Sequence, residues 1–125
     1  MKRLFVKSKL HRAKVTGAVL DYVGSISICP ALMKTADLLE WEFVHVNNLS
    51  NGAHWETYVI PGDPGEICLN GPPSRHFQKN DLVVVFNLIE LEDKYKSLFI
   101  FCNILFIRFS SIMINPDLLF SYTPV

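Results

Sequence analysis

The residues best suited to chemistry start with one dipeptide. In LDYVGSISI, Leu20–Ile28, Gly24-Ser25 stands at the mouth of a stretch that alternates apolar and small polar residues. A serine hydroxyl is a poor nucleophile alone; it needs a strained amide and a polarised carbonyl. A preceding glycine suits such an attack, having no Cβ to obstruct it and tolerating strained backbone angles. The same pair also makes an ordinary turn, and in isolation that is the better reading. Other candidates carry the same double meaning. Tyr58 is a phenol of pKa about 10, a proton donor at neutral pH, or a strand aromatic. Asn70 offers amide N–H groups to an anionic oxygen, or simply opens an Asn-Gly turn. Thr57 is a hydroxyl donor or a plain β-branched strand residue. Lys9 and His11 alternate along one strand and so share a face, where a lone histidine is usually a surface residue.

The order of these residues changes the balance. KLHR (Lys9–Arg12) precedes KVT (Lys14–Thr16) and LDYVGS; Asn51-Gly52 and Thr57-Tyr58 follow, then EICLNG, Glu66–Gly71. The set resembles the pyruvoyl-dependent aspartate 1-decarboxylase family from about Leu4 to Leu88. The resemblance implies a zymogen that cleaves itself at Gly24-Ser25 into segments 1–24 (β chain) and 25–125 (α chain). Ser25 would become the pyruvoyl cofactor, with no PLP and no metal. Thr57 would steady the oxyanion of that cleavage, with Tyr22 and His11 near the processing site. The keto group would hold L-aspartate as a Schiff base, and Tyr58 would return a proton after carbon dioxide leaves. Lys9, His54, Thr57, Asn70 and Gly71 would bind substrate. The product would be β-alanine, for pantothenate synthesis. The fold implied is a double-psi β-barrel in a homotetramer, with Tyr58 of one chain near Ser25 of its neighbour.

Three departures from the family pattern stand out. Where the pattern reads NG-x-R-F-x-T-Y, this chain reads NGAHWETY, placing His54 at the arginine position. Neutral histidine lacks the fixed charge and two-point fork with which arginine holds a carboxylate. After Gly71 the usual small residues give way to Pro72-Pro73, which supply no backbone N–H. Beyond about Asp93 nothing matches, leaving 94–125 as a divergent tail. These departures keep two alternatives open: a pyruvoyl decarboxylase of shifted amino-acid specificity, and a poorly maturing barrel that serves as a binding or assembly partner.

The elements that must position these groups are mostly strands. Apolar runs separated by turn signals predict strands at Arg3–Val6, Lys9–Val15, Ser25–Ile28, Glu42–Asn47, Trp55–Ile60, Glu66–Leu69 and Leu82–Ile89. Asn51-Gly52 predicts a hairpin turn, and Pro61–Gly65 a loop. Pro30 opens a helix predicted over Pro30–Leu39, with Leu32, Ala36 and Leu39 at 3–4 spacing. One domain of 125 residues, mainly β with one or two short helices, follows; many short strands point to a small barrel.

Half of the residues are apolar and the formal net charge is zero, which gives no pull toward nucleic acid. Cys29, Cys68 and Cys102 match no metal-knuckle or redox spacing, and are read as reduced thiols of a cytoplasmic protein. The start, MKRLFVKSKLHR, has no unbroken apolar core of the kind a secretory signal requires. Ser97–Ile114 is mostly apolar. Arg108 and Asn103 inside it, and its aromatic and β-branched content, favour buried strands or self-association over a membrane span.

Overall fold

The computed structural model describes residues 1–95. Seven strands carry the fold: β1 (Lys2–Lys14), β2 (Gly17–Val19), β3 (Ser25–Ile28), β4 (Phe43–Asn48), β5 (His54–Pro61), β6 (Ile67–Asn70) and β7 (Leu82–Glu92). One helix, α1 (Pro30–Thr35), follows β3, and short 3-10 turns occupy Pro72–Arg75 and Asp93–Tyr95. The chain is thus mainly β, as the double-psi barrel class requires.

All seven strands form one sheet in the order β1-β7-β4-β5-β3-β6-β2. The two edges of that order, β1 and β2, are consecutive in sequence and joined only by Val15-Thr16. Such a short link forces the sheet to curl back on itself. The sheet is nevertheless not closed, because no ladder joins β1 to β2 among the described residues. Instead Val15 N–H donates to Asp81 O at 2.9 Å and Thr16 N–H to Ile67 O at 2.8 Å. The enclosed core is aliphatic: Val15, Ile26, Ile28, Val44, Val46, Val59, Leu69 and Val83, with Phe77, are all shut off from solvent.

Local chemistry accounts for where the elements differ from expectation. The two strands expected at Arg3–Val6 and Lys9–Val15 are one strand, β1, paired with β7 and interrupted by irregularities at Val6/Ser8 and Leu10/Ala13. The first is held by Asn87, whose Oδ1 accepts from Ser8 N at 3.0 Å and Ser8 Oγ at 2.6 Å. At the second, Arg12 takes a φ of 63°. A bulge adds an unpaired residue and sharpens the twist without ending the strand.

The helix stops at Thr35 rather than Leu39. Asp37 adopts a φ of 50°, Leu38 N–H donates to Met33 O at 2.8 Å, and Asp37 N–H to Lys34 O at 3.2 Å. That is a Schellman termination with aspartate where glycine is usual, so the apolar spacing continues past the true end. The Asn51-Gly52 turn is likewise wider than a two-residue hairpin. The connection spans residues 49–53, closed by Gly52 N–H to Asn48 O at 2.8 Å and by Asn48 and Asn51 side chains accepting from Ser50 and Ala53 N–H. Strand β2 lies where the sequence pattern predicts no element.

Cys29 and Cys68 are free and buried, as expected. Cys102 and the apolar run Ser97–Ile114 lie outside the described residues, as does nearly all of 94–125, the segment expected to diverge. No helix among the described residues is long and apolar enough to cross a membrane.

The β4–β5 connection is tied to the start of β7 through Asp81. Its Oδ2 accepts from Gln78 N–H at 2.9 Å and from Asn48 Nδ2 at 2.8 Å. These donors hold the Asp81 carboxyl below its ordinary range, Gln78 first and Asn48 next, against the opposing effect of burial. A depressed folded pKa gives stability that is complete above the unfolded value of about 4 and lost as pH falls through the folded value. We therefore expect Asp81→Ala to lower unfolding free energy by about 1–2 kcal/mol at pH 7 in urea titrations. The gap from wild type should narrow as pH drops below about 4.

Candidate active site

Strand β6 sits between β3 and β2, antiparallel to the first and parallel to the second. The antiparallel register sets Ser25 opposite Asn70 and Ser27 opposite Cys68. Because strand side chains alternate, these four share one face while Ile26 and Leu69 enter the core. The shared face is polar but dry: Ser25 is 0% exposed and Asn70 4%.

Asn70 organises that face. Its Nδ2 donates to Ser25 Oγ and to Ser27 Oγ, both at 2.9 Å, so both amide hydrogens are used. Its Oδ1 accepts from Cys68 Sγ at 3.3 Å. An N–H directed at a serine oxygen stabilises negative charge developing there. Burial, with the nearby Glu66 carboxylate, raises the Cys68 thiol pKa, so it stays a neutral donor to Asn70.

The backbone around this pair is shaped by two glycines. Gly24 takes a φ of 120° and Gly71 a φ of 82°. A Cβ on Gly71 would lie 2.8 Å from Tyr22 O, 2.9 Å from Gly24 Cα and 3.0 Å from Gly24 N. Gly71 N–H donates to Val19 O at 2.7 Å. The segment leaving β6 therefore presses directly on the backbone ahead of Ser25. Pro72 follows closely, its Cδ 4.0 Å from where a Gly24 Cβ would stand. On the outer side, the Tyr22 and Val23 side chains project into solvent.

The remaining expected residues are less concentrated. Strand β5 runs parallel to β3, pairing Ile26 with Val59. Continued one residue, that register sets Tyr58 alongside Ser25 on the polar face and Thr57 on the core side, where Thr57 is buried. Tyr58 stacks on Trp41 at 5.3 Å. Lys9 lies on β1, separated from β3 by three strands in the sheet order, opposite Phe86. His11 sits in the second irregularity of β1, its Nδ1 buried without a hydrogen-bond partner. Burial first, then the charges of Lys9 and Arg12, depress its pKa. His54 opens β5; its Nδ1 meets Asn47 Oδ1 at 2.5 Å, and its Nε2 lies 3.5 Å from Glu56 Oε1. Within one chain, then, the structure brings Gly24, Ser25, Tyr22, Asn70 and Gly71 into a single cluster. It sets Thr57 and Tyr58 on the neighbouring strand, and leaves Lys9, His11 and His54 elsewhere on the sheet.

Sequence reasoning passed over Ser27 and Cys68. The signal was present: each stands two residues from a selected neighbour, Ser25 and Asn70, and period-two spacing puts such residues on one face. Ser74, buried with its Oγ unpartnered, gave no comparable signal.

The comparisons agree on one family. The family described as "Aspartate decarboxylase" matches residues 1–105. A curated aspartate 1-decarboxylase of Bdellovibrio bacteriovorus is 56% identical over 80 residues, 64% of each chain. That match covers just under two thirds of the relative's length. The Christiangramia forsetii protein of that name is 50% identical over 92 residues, 70% of this chain and 79% of the relative. The Clostridium novyi one is 45% identical over 104 residues, 78% and 85% respectively.

The close approach at Gly71 yields a direct test. Gly71→Ala should lose about 1–3 kcal/mol of unfolding free energy from strain and steric conflict. Gly52 has a similar φ of 76° but open space around its Cβ position. Gly52→Ala should therefore cost clearly less, and equal losses in urea titrations would contradict the contact.

Proposed function

Since this chain belongs to the aspartate decarboxylase family, we propose that it matures by its own chemistry at Gly24-Ser25 and then converts L-aspartate to β-alanine and carbon dioxide. Decarboxylation of aspartate is the activity that family membership carries. The observation that most supports maturation at this bond is the Asn70 amide donating to the buried Ser25 hydroxyl, with Gly24 beside it at a φ of 120°.

Ser25 Oγ bonds to the Gly24 carbonyl carbon, the C–N bond breaks, and the serine nitrogen takes up the hydroxyl proton. Gly24 is then held as an ester. Loss of a Cα proton and of the ester oxygen frees segment 1–24 with a carboxyl end. The dehydroalanine left at position 25 exchanges its nitrogen for water oxygen, releasing ammonia. Asn70 stabilises charge on Oγ at the first step, and Gly71 holds the bond in place through the backbone of Tyr22 and Gly24. Thr57, on the adjoining strand, acts on the carbonyl oxygen.

A pyruvoyl group at position 25 would supply a keto carbonyl as the electron sink for decarboxylation, the role that PLP or a metal would otherwise fill. Tyr58, in register with Ser25, donates the returning proton. Within one chain the Tyr58 hydroxyl makes no hydrogen bond to Ser25, Asn70 or Gly71. Trp41, on which it stacks, and nearby Phe43 are 67% and 55% exposed. This apolar surface beside Tyr58 supports a homotetramer in which the phenol serves a neighbouring chain. Lys9 receives the substrate carboxylate. The buried, free Cys29 and Cys68 suit a reducing, cytoplasmic setting.

One observation favours shifted specificity as a second reading. His54 is already engaged by Asn47 and faces the Glu56 carboxylate, which repels a carboxylate substrate.

Intact-mass analysis of purified protein tests the proposal. We expect a fragment Met1–Gly24 and a partner from position 25 to Val125 that lacks a free amine. Ser25→Ala should stay whole, and Asn70→Ala should cleave about 100-fold more slowly. A wild-type chain that remains intact after prolonged warming would sink the mechanism. For specificity, matured protein offered aspartate or glutamate should decarboxylate aspartate, and His54→Arg should raise that turnover. A preference for glutamate would establish the second reading.

A further inference from the structure

On the sheet face that also carries Tyr58, at the opening of β5, three metal-binding side chains converge. His45 on β4 stands directly across from Glu56 on β5. His54 precedes Glu56 by two residues and so shares its face. One ring nitrogen of each histidine and a Glu56 oxygen lie within 4.8 Å of one another. We propose that His45, His54 and Glu56 form a binding site for a divalent transition-metal ion, zinc being the best fit.

The spacing argues for an ion rather than direct hydrogen bonds. His45 Nδ1 and His54 Nε2 are each 3.5 Å from the same Glu56 oxygen. That is long for an N–H···O bond, whose usual limit is about 3.2 Å. Two ligand atoms about 2.0–2.1 Å from a tetrahedral ion lie roughly 3.4 Å apart. These two nitrogen–oxygen separations match edges of such a tetrahedron, and the remaining pair, within 4.8 Å, closes as the ion is taken up.

The supporting groups point the same way. His54 Nδ1 meets Asn47 Oδ1 at 2.5 Å, which fixes the proton on Nδ1 and leaves the Nε2 lone pair facing Glu56. The His45 ring is stacked on Phe86 at 4.9 Å and met edge-on by Phe43 at 5.3 Å, which holds its direction. All three ligands stand on paired strands, where positions are better fixed than on loops. Two histidines and a carboxylate make a donor set that zinc accepts, with the fourth position left to water or an incoming carboxylate. The titration below reads ion binding directly, so its failure and a failure of the chemistry proposed at Ser25 are distinguishable.

The experiment is a cobalt(II) titration of untagged full-length protein, followed by visible d–d absorption, with zinc as competitor. A saturable one-to-one signal, displaced by zinc, is expected. His45→Ala, His54→Ala and Glu56→Gln should each weaken binding at least about tenfold, and Asn47→Ala, which removes only the orienting group, about 10–100-fold. His54 and Glu56 side chains are about half exposed, 48% and 53%, so the His54 and Glu56 variants should keep the wild-type circular dichroism. No saturable signal in wild type would overturn the proposal. So would undiminished binding in the histidine variants, which would locate the ion elsewhere.

Discussion

Asn70 spends both of its amide hydrogens on two serine hydroxyls, and the region around residue 25 is arranged to let it do so. A single side chain reaches two hydroxyls only if they share a face two residues apart on a paired strand. That condition fixes the register of β3 against β6. The polar groups lie in a dry setting, where an unpaired buried donor or acceptor costs about 1–3 kcal/mol. The register is therefore held by satisfaction of polar groups on one face as well as by Ile26 and Leu69 on the other. Immediately after Asn70 the chain must cross the backbone of Tyr22 and Gly24. Only a residue without a Cβ passes at that distance, so Asn70 and Gly71 act as one unit: the first orients the hydroxyl, the second confines the bond beside it.

Much of this was readable in the sequence because the governing rules are local. The alternation I-S-I predicts a strand with two serines on one face, and β3 begins and ends where that pattern does. Pro30 predicts the helix start, and Asn-Gly marks the sharp exit from β6. What was not readable depends on distant partners. Strand β2 has three residues and no strong periodicity; it is a strand because Gly17, Ala18 and Val19 find Cys68, Leu69 and Asn70 about fifty residues later. The break expected between Val6 and Lys9 is a bulge because Asn87, on the partner strand, satisfies Ser8. The helix end was missed since aspartate, not glycine, takes the left-handed position. Within the candidate site, residues close in sequence to Ser25 and Asn70 lie together because the β3–β6 register joins those two short segments. The reach of Lys9, His11 and His54 depends on how strands order in the sheet, which local patterns do not encode.

The two prolines after Gly71 are a departure from the family pattern that the fold accommodates readily. They occupy the first positions of a 3-10 turn, where backbone N–H groups would have no partner in the turn anyway. The turn is closed by Ser74 N–H to Gly71 O at 3.0 Å and His76 N–H to Pro73 O at 2.9 Å. Pro73 is buried, and Pro72 stands against Gly24. What the prolines remove is any free amide donor at those two positions. Their fixed φ stiffens the exit from Gly71, the segment that packs on the backbone of Tyr22 and Gly24.

Thr57 and Tyr58 are adjacent, and adjacency on a strand is separation in space. Val59 is in the core, so Thr57 lies on its side of the sheet and Tyr58 on the other. Ser25 has the same relation to Ile26, which puts its hydroxyl on the Tyr58 side. The two roles that family resemblance gives these residues thus approach position 25 from opposite faces. A hydroxyl on the core side is shielded from water and suits a single event in a buried backbone. A phenol on the outer side, beside exposed Trp41 and Phe43, suits repeated turnover with a substrate that must come and go. Under the proposed roles, strand alternation divides maturation from catalysis between two neighbouring residues, with no additional element.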